Sequence, residues 1–345
     1  MNMHTLGASW SDLIQEISEE EKTTTNVLLP DVDVAATVES GHTESVHSVC
    51  VSSDGSRVVS GSGDKTIKIW NALSGACLKT LVGHSDYVWS VCLSSDGSQV
   101  ISGSGDKTIK VWNAKIGSAV MTLEGHTEWV MSVCATTDGS RIISGSGDKT
   151  VKIWDATNGS CVSTLKGHLL WITSVCVSPD GSRVISGSGD KTVKVWDMES
   201  GTCVLTLEGH SEGVKSVCTS ADGSYIFSAS DDGTVKIWDS ISGDCVSTLE
   251  GHSNWVWSVC VSAHGGPHVI SGSEDKTLKI WDTMNESCLN TIEGHSGSVL
   301  SVAVRADGSR IVAGSWDTTV KVWNAKNGAC ISTLGSPSKE EGGDA

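Results

Sequence analysis

A histidine, a serine and an aspartate, the residue types of a hydrolytic triad, recur together seven times along this chain. In the third copy they are His126, one of the serines in the Ser-Gly-Ser at 144–146, and Asp148, followed by Trp154. A serine hydrolase needs one such set, placed in a pocket beside an oxyanion hole. Seven equivalent sets in one chain therefore argue against an active site and indicate a structural role.

The sets belong to a sequence repeat that begins at a Gly-His pair. Successive pairs are 42 residues apart five times and then 43, at 41–42, 83–84, 125–126, 167–168, 209–210, 251–252 and 294–295. Each copy ends near a tryptophan that is followed by Asp or Asn: Trp70, Trp112, Trp154, Trp196, Trp238, Trp281 and Trp323. Seven supersecondary units at this period indicate one repeat array rather than several independent domains.

Within a copy, the residue pattern is typical of short β-strands. In the first copy, SVHSVCVSS alternates and then reaches the hairpin-turn signal Asp54-Gly55. RVVSGS, TIKIWN and ACLKTL follow as three further strand segments. No copy has the apolar stripe of a helix. Four short strands joined by tight turns predict a small antiparallel sheet for each copy.

The Gly-His and Trp-Asp pairs that bracket four strands resemble the WD-repeat family. The resemblance covers residues 41 to about 335 and implies an all-β fold, a seven-bladed β-propeller whose blades are four-stranded antiparallel sheets. It also implies that the Asp, His, Ser and strand-three Trp of each copy form a buried hydrogen-bonded tetrad. Which serine takes part stays open, and in copy seven the first serine is replaced by Ala313.

Three regions are expected along the chain. Residues 31–335 are predicted to form the propeller, and residues 336–345 a short acidic tail. Residues 1–30 are predicted to form a second acidic tail. Within this tail, an apolar spacing typical of a short helix follows Ser9, which could cap it: Trp10, Leu13, Ile14 and Ile17. The alternative is that the whole segment is a solvated tail.

The fourth strand of blade seven has two candidate segments. ACISTL at 329–334 matches ACLKTL at 77–82 in register, whereas VAATVES at 34–40 is displaced by one residue relative to the Gly-His pair. A slip of one residue would turn the side chains of a strand to the wrong face. Residues 329–334 are therefore the predicted closing strand.

Composition narrows the class of protein. A net charge of −17 without a basic stripe argues against direct nucleic-acid binding. The twelve cysteines occupy two repeat positions that elsewhere hold Ala119 and Ala303, which predicts small buried residues rather than bridges or zinc ligands. Without a signal peptide or long apolar run, we expect a cytoplasmic or nuclear protein with no membrane contact, metal or cofactor.

The copies differ most at three positions, which supply the candidate binding residues. Counted from the Gly-His histidine, the fourth residue is always Val or Ile, as a core requires, whereas the third and fifth vary. The residue before the turn aspartate varies as well. These positions are expected at one mouth of the propeller channel, which in the family is the usual peptide-binding face. The candidates are Tyr87, Trp89, Trp129, Met131, Trp171, Trp255, Trp257, Trp316, Asp231 and Glu274.

Indole rings beside Asp231 and Glu274 favour a cationic ligand, through cation–π contact and a charge-assisted pair. We therefore expect a monomeric, non-enzymatic scaffold of a multiprotein complex that binds a protein partner or a linear peptide containing Arg or Lys. The alternative for the indoles is ordinary core packing between blades. The alternative function is a substrate-recognition subunit of a ubiquitin ligase, whose Trp-Asp-x-Arg signature is absent, or a regulatory subunit of another complex.

Overall fold

The computed structural model describes residues 41–262 and 268–335, and these residues form strands β1 to β28. Blades one and two contain β1 Val46–Val51, β2 Arg57–Ser62, β3 Thr66–Asn71, β4 Cys77–Val82, β5 Val88–Leu93, β6 Gln99–Ser104, β7 Ile109–Asn113 and β8 Ala119–Leu123. Blades three and four contain β9 Val130–Ala135, β10 Arg141–Ser146, β11 Thr150–Asp155, β12 Cys161–Lys166, β13 Ile172–Val177, β14 Arg183–Ser188, β15 Val193–Asp197 and β16 Cys203–Leu207.

The last three blades follow the same pattern. Blade five contains β17 Val214–Thr219, β18 Tyr225–Ser230, β19 Val235–Asp239 and β20 Cys245–Leu249. Blade six contains β21 Val256–Val261, β22 His268–Ser273, β23 Leu278–Asp282 and β24 Ser287–Ile292. Blade seven contains β25 Val299–Val304, β26 Arg310–Ser315, β27 Val320–Asn324 and β28 Cys330–Leu334.

Each blade is one sequence repeat. Its four strands are neighbours in chain order and pair antiparallel, as in β1-β2-β3-β4. The first strands of successive blades contact one another, and β25 of blade seven contacts β1 of blade one, so the ring is closed. The predicted all-β, seven-bladed propeller with four-stranded antiparallel blades is confirmed.

The core lies between adjacent blades. The fourth residue after each Gly-His histidine is fully buried, as Ile172 is, which confirms its predicted core role. Ile172 packs against Gly145 of the preceding blade, where an added Cβ would lie 2.5 Å from the Ile172 Cγ2 atom. The strand-three tryptophans are buried as well, Trp154 with 1% exposure. The repeated residues therefore hold each blade against its neighbour.

A ring of serine hydroxyls joins the innermost strands. The backbone N–H of Val91 in β5 donates to the Ser48 hydroxyl of β1 at 3.0 Å, and each following blade repeats this contact. The series closes where the N–H of Val49 donates to the hydroxyl of Ser301 at 3.0 Å. One hydrogen bond between each pair of neighbouring first strands therefore fixes how far one strand is displaced along the other.

The C-terminal segment supplies the fourth strand of blade seven, as predicted. β28 pairs with β27 from Val320–Leu334 to Trp323–Cys330. Leu334 is buried in one cluster with Val46 and Trp70 of blade one, so this strand also seals the seam between the last and first blades. The competing segment 34–40 lies outside the described residues, as do the tails at 1–30 and 336–345 and the predicted helix.

The expectation of small buried residues holds only in part: the first-strand cysteines are partly buried, and most of the fourth-strand cysteines are exposed. Burial raises the pKa of the first-strand thiols, to about 12 for Cys92, Cys176 and Cys260. The fourth-strand set lies on the outermost strand of each sheet, where no further strand covers it. Five of its residues are therefore exposed: Cys161, Cys203, Cys245, Cys288 and Cys330. All twelve cysteines are free.

Within the described ranges, no helix has the length and apolar composition needed to cross a membrane.

Candidate functional site

The first strand of every blade is irregular at the fifth residue after the Gly-His histidine. In blade one, the pairing of β1 with β2 shifts between Val46 and Ser48, which leaves His47 without a partner in the ladder. The same shift occurs in the other six blades. A β-bulge of this kind bends the strand and re-aims the side chain of the extra residue.

These seven bulged residues together line one cavity at the mouth of the channel. They are His47, Trp89, Met131, Thr173, Lys215, Trp257 and Leu300. The cavity has a volume of about 570 Å³, and its wall also includes Glu44, Ser45, Tyr87, Trp316 and Thr318. Every blade therefore contributes a different side chain to a single axial cavity.

A backbone hydrogen bond brings the third variable position to the same mouth. The N–H of Glu274 donates to the carbonyl oxygen of Trp255 at 2.9 Å, and the N–H of Trp316 donates to that of Ser298 at 2.9 Å. All seven blades have this bond between the residue before the turn aspartate and the third residue after the histidine. The three variable positions are thus neighbours in every blade.

One side of the mouth is a continuous aromatic surface. The rings of His47 and Trp89 have centroids 4.4 Å apart, and Trp89 stacks on Trp129 at 6.1 Å with an interplanar angle of 23°. Tyr87 meets Trp89 edge-on at 5.9 Å. Burial lowers the pKa of His47 to about 4, so its imidazole is neutral at pH 7. This side of the cavity presents flat, uncharged rings.

The other side of the mouth contains an internal cation. The Lys215 ammonium lies 3.1 Å from the Oδ2 atom of Asp231, 4.6 Å from the Trp257 ring centroid and 5.6 Å from that of Trp255. The indole N–H of Trp257 donates to the Glu274 Oε2 atom at 2.6 Å. Both carboxylates that the sequence predicts as ligand contacts therefore already have partners within the protein.

Asp231 retains one unpaired oxygen. Its Oδ1 atom is buried and has no hydrogen-bond partner among the described residues. Burial raises the pKa of this carboxyl, although the Lys215 ammonium acts in the opposite direction. The pair is therefore held in a partly dry environment, in which an ammonium and a carboxylate attract more strongly than in water.

A separate groove lies between blades three and four. It has a volume of about 380 Å³ and is lined by Glu128, Trp129, Met131, Gly147 and Trp171. The two indoles are 50% and 45% exposed. Met131 borders both the groove and the axial cavity, so the two spaces adjoin.

The ten predicted site residues divide among these places. Tyr87, Trp89, Met131, Trp257 and Trp316 line the axial cavity. Trp129 and Trp171, with Met131, line the groove. Asp231, Trp255 and Glu274 line neither and instead surround or support Lys215 and Trp257. The prediction omitted Lys215 and His47, although their variability at the fifth position was the signal that could have included them.

The predicted tetrads are present in blades one to six, and they use the first serine. In blade three, Asp148 accepts from His126 Nδ1 at 2.6 Å, and the Ser144 hydroxyl lies 2.8 Å from His126 Nε2. The Trp154 indole donates to the same hydroxyl at 2.8 Å. Burial alone would raise the pKa of Asp148, but hydrogen bonds from His126 and Thr150 hold it well below its usual range.

Blade seven lacks the complete network. Asp317 still accepts from His295 Nδ1 at 2.9 Å, but Ala313 stands where the other blades have the bridging serine. His295 Nε2 and Trp323 Nε1 are consequently buried without a hydrogen-bond partner in the described part of the chain. The second serine, Ser315, accepts from the N–H of Asp317 at 3.1 Å, as the second serine of every other blade does from its own turn aspartate.

The histidines offer no metal site in residues 41–262 and 268–335. The ring Nδ1 atom of each Gly-His histidine lies within hydrogen-bonding distance of a turn aspartate, as in His42 and Asp64 at 2.7 Å. In these ranges no group of three or more His, Cys, Asp or Glu side chains could hold a metal ion.

Comparison with known proteins identifies the repeats. The family model described as "WD40: WD domain, G-beta repeat" matches residues 35–71, 75–113, 117–155, 159–197, 201–239, 243–282 and 286–324. Proteins named "Ribosome biogenesis protein BOP1 homolog" are similar over 54 residues, 46% identical in Drosophila grimshawi and 44% in Drosophila ananassae. Those stretches span 16% of this chain and only 7% of each relative. Because the family model matches most of its residues, the chain belongs to the WD-repeat family.

Proposed function

We propose that this WD-repeat propeller is a non-enzymatic scaffold that binds a segment of a protein partner at the aromatic mouth of its channel. The segment preferably contains an arginine or a lysine. Its wider role is membership of a multiprotein complex, with the propeller itself monomeric and no direct contact with nucleic acid.

The observation that carries this proposal is the uneven distribution of tryptophans. The seven strand-three tryptophans are almost completely buried, as a packing role requires. Trp129, Trp171, Trp255 and Trp316 are 45–60% exposed and occupy positions that differ from blade to blade. Trp129 and Trp171 line the groove, Trp316 lines the axial cavity, and Trp255 lies beside Lys215 of that cavity. Exposed aromatic clusters mark interaction sites, and tryptophan and tyrosine are frequent hot spots of binding energy. Ordinary core packing would not leave these rings half in solvent.

The preference for a cationic side chain rests on the chemistry of the mouth. Within the mouth, Lys215 already makes such contacts, with the Asp231 carboxylate and the faces of two indoles. The half-exposed Trp129 and Trp171 beside Glu128 offer the same kinds of group to a side chain of a partner. The net charge of −17 also favours basic partners during encounter.

The partial likeness to ribosome biogenesis proteins supports membership of a multiprotein complex and, of the two expected locations, the nucleus. The aligned stretch of 54 residues is little longer than one 42-residue repeat, and it covers a small part of those proteins. Their partners are therefore not carried over to this chain. The ubiquitin-ligase alternative gains no support from the site.

The test is capture of partners from cells by the wild-type protein and by a Trp255→Ala, Trp316→Ala double variant. Both side chains are about half exposed, so the variant should fold normally and lose the proteins that the wild type retains. A Leu73→Ala variant is the control, because Leu73 is 78% exposed in the turn between β3 and β4, at the opposite end of its blade. Equal capture by wild type and double variant would refute the proposal, as would a loss of several kcal/mol in stability, the scale for a buried tryptophan.

A further inference from the structure

We infer that the groove between blades three and four is a clamp for one cationic side chain, an arginine or lysine, of the bound segment. This inference rests on the proposed function and assigns its cationic preference to a site apart from Asp231 and Glu274.

Both walls of the groove are indoles held in place by neighbours. Trp129 stacks on Trp89, which fixes one wall. Trp171 lies over Gly189, where an added Cβ would come within 2.7 Å of its indole Cε2 and Nε1 atoms. Rings that are already immobilised lose little conformational entropy when a ligand binds. Blades three and four are also the only neighbours with tryptophan at the third position after both histidines.

At one point of its lining the groove depends on the absence of a side chain. Gly147 is part of the lining, and an added Cβ there would lie 3.2 Å from the Glu128 Cβ atom. The equivalent residues in blades five to seven are Asp231, Glu274 and Trp316. A side chain of that size at residue 147 would occupy space that the groove leaves free for a ligand.

Charge determines which ligand suits the groove. Glu128 is the only ionisable residue in its lining, and it is 56% exposed. The Lys107 ammonium is 3.7 Å from the Glu128 Oε1 atom, but both side chains are about half exposed, and such surface pairs are weak. A carboxylate beside two indole faces attracts a cation through a charge-assisted hydrogen bond and cation–π contact, whereas it repels an anion.

The axial cavity is a poorer place for a second cation. Lys215 lines that cavity and already satisfies Oδ2 of Asp231, while Trp257 satisfies Glu274. Another ammonium or guanidinium nearby would be repelled in a partly dry space. The wall of the axial cavity also contains Glu44, but the Lys215 ammonium in the same wall offsets its charge, whereas the lining of the groove has no cation. With its neutral His47 and stacked rings, the axial cavity is better suited to an uncharged side chain next to the cationic one.

Two short peptides that differ only in charge test this assignment. The probes are acetyl-Gly-Gly-Arg-Gly-Gly-amide and the same peptide with citrulline, the neutral isostere of arginine, titrated by calorimetry. We expect the wild type to bind the arginine peptide about tenfold more tightly. Glu128→Gln and Trp171→Ala should each reduce this preference to about twofold or less. Glu212→Gln is the matched control, since Glu212 holds the same repeat position and pairs with Lys191 at 3.4 Å, but is followed by Gly213.

The outcomes separate this inference from the proposed function. An arginine preference that survives in Glu128→Gln and Trp171→Ala but disappears in Asp231→Asn would overturn the groove assignment and return the cation to the axial cavity. An absence of any arginine preference in the wild type would overturn it too. In both cases the capture experiment with the Trp255 and Trp316 variant still decides whether the mouth binds a partner. Thermal unfolding of each variant identifies any that lose binding through misfolding.

Discussion

Blade three and blade seven have the same strands in the same order, but only blade three has a complete hydrogen-bond network. In blade three the Ser144 hydroxyl bridges His126 Nε2 and the Trp154 indole. In blade seven Ala313 takes its place and leaves two buried ring nitrogens unpaired. An unpaired buried polar group typically costs about 1–3 kcal/mol. One blade can therefore lack its internal network and still be held in the ring by its neighbours.

The turn of blade seven differs as well. The residue after the turn aspartate has a positive φ in every blade, and it is lysine in five blades and Gly233 in blade five. In blade seven it is Thr318 at φ 71°, a conformation that β-branched residues rarely adopt. Thr318 and Trp316 both line the axial cavity. Blade seven thus departs from the repeat both in its core and at the mouth, and departures from local preference are expected at functional sites.

Removal of β28 should lower the stability of the propeller more than the single substitutions in blades three and seven. The seam between blades seven and one is held by packing and hydrogen bonds, and β28 supplies part of that packing. A chain ending at residue 329 loses Leu334 and exposes the cluster that includes Trp70 and Val46. We expect this chain to unfold or aggregate, as measured by circular dichroism and size-exclusion chromatography. A chain ending at residue 335 keeps β28 and is the control, and it should melt like the full-length protein. Cooperative melting of the shorter chain at the wild-type temperature would contradict the role of β28 as the closing strand.

Two single substitutions, one that removes the serine from blade three and one that adds it to blade seven, should change the free energy of unfolding in opposite directions. Ser144→Ala gives blade three the defect of blade seven and should lower the free energy of unfolding by about 1–3 kcal/mol. Ala313→Ser offers His295 and Trp323 a shared hydroxyl and should raise it by about 1 kcal/mol. Chemical denaturation measures both values. If the two variants changed stability in the same direction, the missing serine would not explain the weaker network of blade seven.

Relief of the strained turn should have the smallest effect. Thr318→Gly removes a β-branched side chain from a left-handed conformation, which typically costs about 1–2 kcal/mol, but glycine also increases the entropy of the unfolded chain. We expect a net gain of about 0.5–1 kcal/mol in the free energy of unfolding. Thr319→Gly, one residue farther, is the comparison and should destabilise, since the Thr319 hydroxyl donates to Asp317 Oδ1 at 2.6 Å. A loss of stability in Thr318→Gly would mean that contacts of its side chain outweigh the strain.

Much of the propeller could be predicted from the sequence, because a blade is specified locally. Strand pairing within a blade joins residues of one repeat, and the alternation around Val46 together with the turn at Gly55 sets the register of its first hairpin. The closing strand could be predicted for the same reason, from its register. The choice between Ser144 and Ser146 could not, because residues two apart on a strand point to the same side and only the distances to His126 and Trp154 distinguish them.

The repeat, the blade core and the set of variable positions at the mouth could all be predicted from the amino-acid pattern. The contacts among those variable residues could not, because residues from different repeats meet there at distances that no local pattern encodes. Lys215 and Asp231 pair between β17 and the turn after β18, and the ammonium also faces two indoles of the next blade. Trp129 and Trp171 come from different repeats and line one groove only in the assembled ring. Electrostatic and packing energies depend steeply on such distances, so the division of the mouth into cavity, cation pair and groove follows from the assembled ring.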